Sequence, residues 1–253
     1  MTLQTELWLG LAAFVASALN AGAGGGSFIS FPALLATGVS PIAANATNNT
    51  AMWLGGVSSA VSFRNEVVVE RATFMKMLAA SVAGSIVGAL LLLRTSDAIF
   101  AGMIPFLLLA ATIVFLAGPR LVAVSRRARL GLRLNSPLGL GIQTAVAVYG
   151  GFFGAAMGIV MLAIFGVLGM QNVRHANALK VMLSAVINGV AVIPFALAHV
   201  ILLVPVVAMG LGAIAGGYLA AGAVKRIPPA GLRAFVGVVA CAMTAYFFWK
   251  TYG

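Results

Sequence analysis

The sequence predicts an all-α integral membrane protein, a polytopic helical bundle of about 8–10 membrane segments built from two repeats. Each repeat holds a glycine-broken helix or a re-entrant hairpin. Composition is the first ground. Of 253 residues, 62% are hydrophobic and 8% charged, against roughly 25% charged in a soluble domain. The mean hydropathy is +1.11, so too few polar groups exist to coat a water-facing surface. The second ground is a series of apolar runs close to the ~20 residues that a membrane helix needs. The third is self-similarity at a fixed spacing. Gly22 and Gly154 lie 132 residues apart, as do Asn45 and Asn177, Gly26 and Gly158, Phe63 and Phe195, and Arg94 and Arg226. A repeat at constant offset sets the architecture before any single motif does.

The elements follow in order. Residues 7–21 and 28–37 flank the glycine run Gly22 to Gly26. The first is short for a span and the second far too short, so together they make one broken helix or a hairpin tipped by glycines. The first segment lacks a basic leader and carries Glu6, so it reads as an uncleaved part of the fold rather than a signal peptide. Gly38-Val39-Ser40-Pro41 is a turn with Ser40 as N-cap and Pro41 at the first helical position. A helix runs from 41 to 63, a charged loop from 64 to 71, and spans over 72–93 and 98–117. Residues 118–136 form a basic cytoplasmic linker with five arginines, which divides a first transmembrane repeat, 1–117, from a second, 137–253. The second copy has segments 138–149 and 159–168 around the break Gly150 to Gly158. A polar-start helix 176–198, a span 200–224, a basic loop 225–233 and a final span 234–249 complete it. If each broken pair makes no net crossing, the repeats are inverted and 11 of the 15 Lys and Arg fall inside; a parallel arrangement leaves 9. The positive-inside bias favours inversion.

The net charge of +11 sits mostly between apolar runs. It reads as a topology signal and as contacts to anionic lipid headgroups, not as nucleic-acid binding. The four acids, Glu6, Glu66, Glu70 and Asp97, lie near segment ends, which removes the usual carboxylate proton relay or sodium site. Cys241 reads as a small buried hydrophobe. Neither a metal set nor an acid–base pair for catalysis is present, so no cofactor and no enzyme activity are expected.

The candidate site gathers from both copies. Gly24, Gly25, Gly26 and Ser27, with Gly154 in the second copy, open backbone N–H groups toward a ligand, and helix N-termini attract anions. The competing reading is tight helix packing. Asn45, Asn48 and Asn49, with Thr47 and Thr50, are costly in lipid and must face protein or a solute path; capping and interhelical bonds would absorb one or two. Asn177 repeats Asn45. His175 and Lys180 stand where the first copy has Ala43 and Asn48, so the second copy adds an imidazole and a cation. Lys180 either snorkels to the interface or faces a cavity and draws in an anion.

These residues carry a resemblance. Gly22 to Phe28, Pro32-Ala33-Leu34-Leu35, Gly38 to Pro41 leading into Ala44-Asn45-Ala46-Thr47, and Gly151 to Ala155 resemble the sulfite exporter TauE/SafE family of membrane transporters. The resemblance covers nearly the whole chain. It implies a bacterial inner-membrane carrier linked to sulfite, sulfoacetate and related organosulfur anions. The expectation is therefore a multi-pass secondary transporter of a small anion, using alternating access between the repeats. Lys180 supplies charge and His175 titrates if protons are coupled. A passive anion channel and an intramembrane enzyme are the alternatives, and a homodimer is left open.

Overall fold

The computed structural model describes residues 2–22, 25–127, 133–223 and 229–253. Among them are ten α-helices: α1 (Leu3–Gly22), α2 (Ser27–Leu35), α3 (Pro41–Phe63), α4 (Arg71–Arg94), α5 (Asp97–Arg127), α6 (Pro137–Phe152), α7 (Met157–Val167), α8 (Val173–Leu197), α9 (Leu203–Ala223) and α10 (Pro229–Tyr252). Four stretches are long and apolar enough to cross a membrane: Arg71–Arg94, Asp97–Ser125, Val173–Leu197 and Arg233–Tyr252. Large aliphatic side chains such as Leu109, Ile113, Val207 and Leu211 are exposed on the outside of the bundle, as lipid requires. Cys241 is exposed on α10 and is not a core residue. Its apolar neighbours had suggested burial, but in a membrane protein an apolar side chain is at ease facing outward.

Helix starts follow local chemistry. Ser40 accepts the Ala43 N–H at 3.4 Å, and Pro41 opens α3 without needing a donor. Asn172 accepts from the Arg174 and His175 N–H groups at 2.9 and 3.3 Å and caps α8. Two predicted boundaries are corrected. Helix α5 does not end before Gly118 but continues to Arg127 with Pro119 inside it, so the first ten residues of the predicted linker are helix. The expected loop to Arg233 is also too long, because α10 starts at Pro229 and Arg233 belongs to its second turn. Residues 224–228, including Lys225 and Arg226, and linker residues 128–132 lie outside the described residues.

Helix directions can be read from contacts. The Thr47 hydroxyl at the start of α3 accepts the Leu202 N–H, just past the end of α8, at 3.0 Å. At the other end, Glu66, beyond α3, pairs with Arg174 at the start of α8 at 3.1 Å. So α3 and α8 are antiparallel. α5 and α10 are too, since Tyr252 donates to the Gly102 carbonyl while Arg233 reaches Phe115. Helix α1 runs parallel to α9, with Gly10 against Ala208 and Ser17 against Gly217, and α4 runs parallel to α6. Each short helix turns back on the long one before it, so α1–α2 and α6–α7 are hairpins that enter from opposite ends of the bundle. One end carries Arg64, Arg71, Arg120, Arg127, Arg133 and Arg174; the other carries Arg94 and Lys250.

Glycines set the closest approaches. A β-carbon on Gly88 would meet the Val148 carbonyl and lie 2.9 Å from the Phe152 nitrogen. That contact is backbone on backbone, so nothing flexible can yield. Gly88→Val should therefore separate α4 from α6 and cost about 1–3 kcal/mol or more. A lowered unfolding midpoint in detergent would register this, and an unchanged midpoint would contradict the α4–α6 contact.

Candidate functional site

A helix that breaks inside a bilayer exposes backbone polar groups that lipid cannot satisfy. The chain meets part of this need with groups close to each break. At the first, Gly25 takes φ 82°, and the Asn20 side chain accepts the Gly26 N–H at 2.8 Å. At the second, Gly154 takes φ 78° and Ala156 φ 58°, and the Tyr149 hydroxyl donates to the Ala155 carbonyl at 2.6 Å. The left-handed angle is uncommon for a residue with a β-carbon; Ala156 lies just where α7 begins.

The two tips meet beside a cavity of about 530 Å³. Gly25 and Ser27 present the start of α2 to it, and Met157, Gly158 and Ile159 present the start of α7. Both helix N-termini give the chamber partial positive charge. Ser17, Asn20, Ser59, Asn177, Ser184 and Asn188 supply neutral polar groups. Among the described residues, Lys180 and Arg233 are its cations and no carboxylate lines it. The four acids lie elsewhere: Asp97 holds the Ile42 N–H, Glu66 pairs with Arg174, Glu70 accepts from Thr73, and Glu6 is buried on α1 near its start.

Five of the residues predicted from sequence line the cavity: Gly25, Ser27, Gly154, Asn177 and Lys180. Gly158 packs on Lys180, and a β-carbon there would lie 3.2 Å from the lysine Cδ. Gly24 lies outside the described residues. Gly26, Asn45, Asn48, Asn49 and His175 do not line it. Asn45 instead donates to the Phe152 carbonyl at 3.0 Å, which caps the broken end of α6. His175 is half-buried at the start of α8, with its backbone N–H on Asn172. Asn48 and Asn49 are 6% and 8% exposed, and their side-chain oxygens have no hydrogen-bond partner. Phe31, Phe100, Phe152 and Phe153 form edge-to-face pairs near α3 and the second break.

Sequence reasoning missed the lining residues Ser17, Asn20, Ser59, Ser184 and Asn188, and the cation Arg233, which had been assigned to a basic loop. A signal was available. Pro229 is a helix-starting residue, and a helix begun there carries Arg233 inward in its second turn rather than leaving it on a loop.

A bundle of long and interrupted helices with an apolar outer face is that of a multi-pass membrane protein, and the proteins similar to it are membrane transporters. The chain belongs to the sulfite exporter TauE/SafE family, whose family profile matches residues 9–247. A probable membrane transporter protein of Haemophilus influenzae is 38% identical over 67% of this chain and 66% of its own length. The probable membrane transporter protein YfcA of Escherichia coli K12 is 29% identical over 98% of this chain and 93% of its own length. A probable membrane transporter protein, ORF9, of Sinorhizobium is 30% identical over 64% of this chain. No solved structure matches the chain.

Asn45→Ala would leave the part-buried Phe152 carbonyl without its donor. It should lower stability by about 1–3 kcal/mol and shift the affinity for anions less than a change at Lys180 does. Denaturant unfolding and uptake kinetics on the same variant check both halves of the statement.

Proposed function

We propose that this protein is a secondary transporter, an exporter of a small organic or sulfur-containing anion such as sulfoacetate or sulfite, working by alternating access in a bacterial inner membrane. The observation that carries the reading is the cavity between the helix breaks, with Lys180 and Arg233 on its wall and no carboxylate to neutralise them. The family match supports the class of substrate.

Alternating access requires two related halves that can exchange roles. We read residues 1–117 and 137–253 as inverted repeats. In support, α3, α4 and α5 start at 41, 71 and 97, and α8, α9 and α10 start at 173, 203 and 229, each 132 residues later. Thr112 and Thr244, also 132 apart, touch through their hydroxyls at 3.0 Å, as equivalent residues do on a two-fold axis. Equivalent helices α3 and α8 run antiparallel, which suits an axis in the membrane plane. The positive-inside rule makes the arginine-rich end cytoplasmic, and the cavity residues Phe63, Val122, Asn177 and Arg233 lie toward that end. The occupied side of the cycle is then the inward-facing one.

Under the same two-fold relation, Asn177 and Lys180 correspond to Asn45 and Asn48. These amides are buried near the phenylalanine cluster. We read them as the outward vestibule in its closed form. Their unpartnered oxygens are costly when dry, and opening the aromatic cluster would hydrate them.

Two results test the reading. In proteoliposomes, one small anion should be taken up saturably, and Lys180→Gln should raise its KM by about 10–100-fold, the worth of a charge-assisted hydrogen bond. A folded Lys180→Gln protein with the parent KM would remove Lys180 from the site, and no saturable flux of any anion would overturn the transporter proposal. Separately, in a Cys241→Ser background, Ser184→Cys should react with a membrane-impermeant thiol reagent from the cytoplasmic face. Asn49→Cys should react only from the opposite face, and only during turnover. Labelling of both from one face would rule out the inverted, alternating arrangement.

A further inference from the structure

We infer that Arg233 is the second anion-binding group of this chamber, that Pro119 positions it, and that the Arg233–Lys180 pair makes the site prefer doubly charged anions to singly charged ones. The inference rests on the transporter reading of the same cavity and deepens it.

The argument begins with a missing hydrogen bond. In an α-helix each carbonyl accepts from the N–H four residues on. Pro119 lies inside α5 and has no N–H, so the Phe115 carbonyl has no partner in its own helix. A buried carbonyl needs one. Arg233 supplies it from α10: its Nη2 donates to the Phe115 carbonyl at 2.5 Å. The same guanidinium lies 5.0 Å from the centroid of the Phe115 ring, a cation–π contact. Gly118 makes room for it. A β-carbon at Gly118 would lie 2.6 Å from that nitrogen and 2.7 Å from Ile159 Cγ2. Phe115, Gly118 and Pro119 together form a cradle that fixes one edge of the guanidinium.

The cradle uses one of five guanidinium donors. Arg233 also lines the cavity, and among the described residues no carboxylate pairs with it. Donors remain for a ligand. Lys180 packs on Gly158, while Arg233 and the side chain of Ile159, the next residue, both lie against Gly118. The two cations therefore line the same chamber as the first turn of α7, Lys180 from α8 and Arg233 from α10. A singly charged guest leaves one of them uncompensated in a partly desolvated chamber, whereas a guest with two separated anionic groups satisfies both. A dicarboxylate or a carboxylate–sulfonate has that form.

The experiment compares malonate with acetate, and sulfoacetate with methanesulfonate, as substrates in proteoliposomes of the full chain. The parent should show a KM at least about tenfold lower for the doubly charged member of each pair. Arg233→Gln should erase that ratio, mainly by raising the KM of the dianion. Arg233→Lys should keep part of it, because the charge stays and the fork is lost. Pro119→Ala restores an N–H for the Phe115 carbonyl, so it should raise the dianion KM while leaving maximal turnover close to the parent's. If Arg233→Gln elutes as aggregate, the lysine and Pro119 variants carry the test. A parent that favours monoanions, or an Arg233→Gln protein that retains the ratio or raises both KM values alike, overturns the inference while the transporter reading stands. Failure of every anion to show saturable flux removes both.

Discussion

The constraint on which this molecule depends is that a broken helix in lipid leaves backbone N–H and C=O groups with nothing to bind. The chain breaks helices at Gly25 and Gly154 and frees a further carbonyl at Phe115. Four of the freed groups are met by specific side chains: Asn20 takes the Gly26 N–H, Tyr149 the Ala155 carbonyl, Asn45 the Phe152 carbonyl and Arg233 the Phe115 carbonyl. Two of these partners come from the other half of the chain. The breaks are thus held by contacts that also join the halves, and the cavity forms where the breaks are.

Charge follows from the same economy of polar groups. A bilayer-embedded chamber can hold a cation only if something shares its field. Arg233 is shared by a carbonyl and a ring, while Lys180 lies against Gly158 with no acid in reach. With no carboxylate among the described residues that line the chamber, the two cations there have no acidic partner on its wall.

Packing is organised across the halves as well. α1 lies along α9 and α4 along α6, in both cases through glycines whose β-carbons would strike opposing backbone. In lipid there is little hydrophobic gain in pressing helices together, so close van der Waals contact between small residues provides the attraction. Contacts of this kind are stiff within each pair. Relative movement is then expected between pairs, near the hairpin tips, where side chains rather than backbones meet.

Much of this was legible from the residues alone, because the features are local. Composition gave the membrane class; Ser40-Pro41 marked the start of α3; the glycine runs marked both breaks; and Lys180 stood out as a cation in a polar helix start. The partners of polar groups were decided by tertiary structure. Whether Asn45 meets a solute or a carbonyl depends on Phe152, 107 residues away, and spacing within α3 carries no trace of it. Arg233 was hidden for the same reason: its role follows from a carbonyl orphaned by a proline on another helix, 118 residues before it. A sequence records which groups are polar and where a helix must break. Only the folded chain determines which polar groups answer those breaks and which remain free to face a ligand.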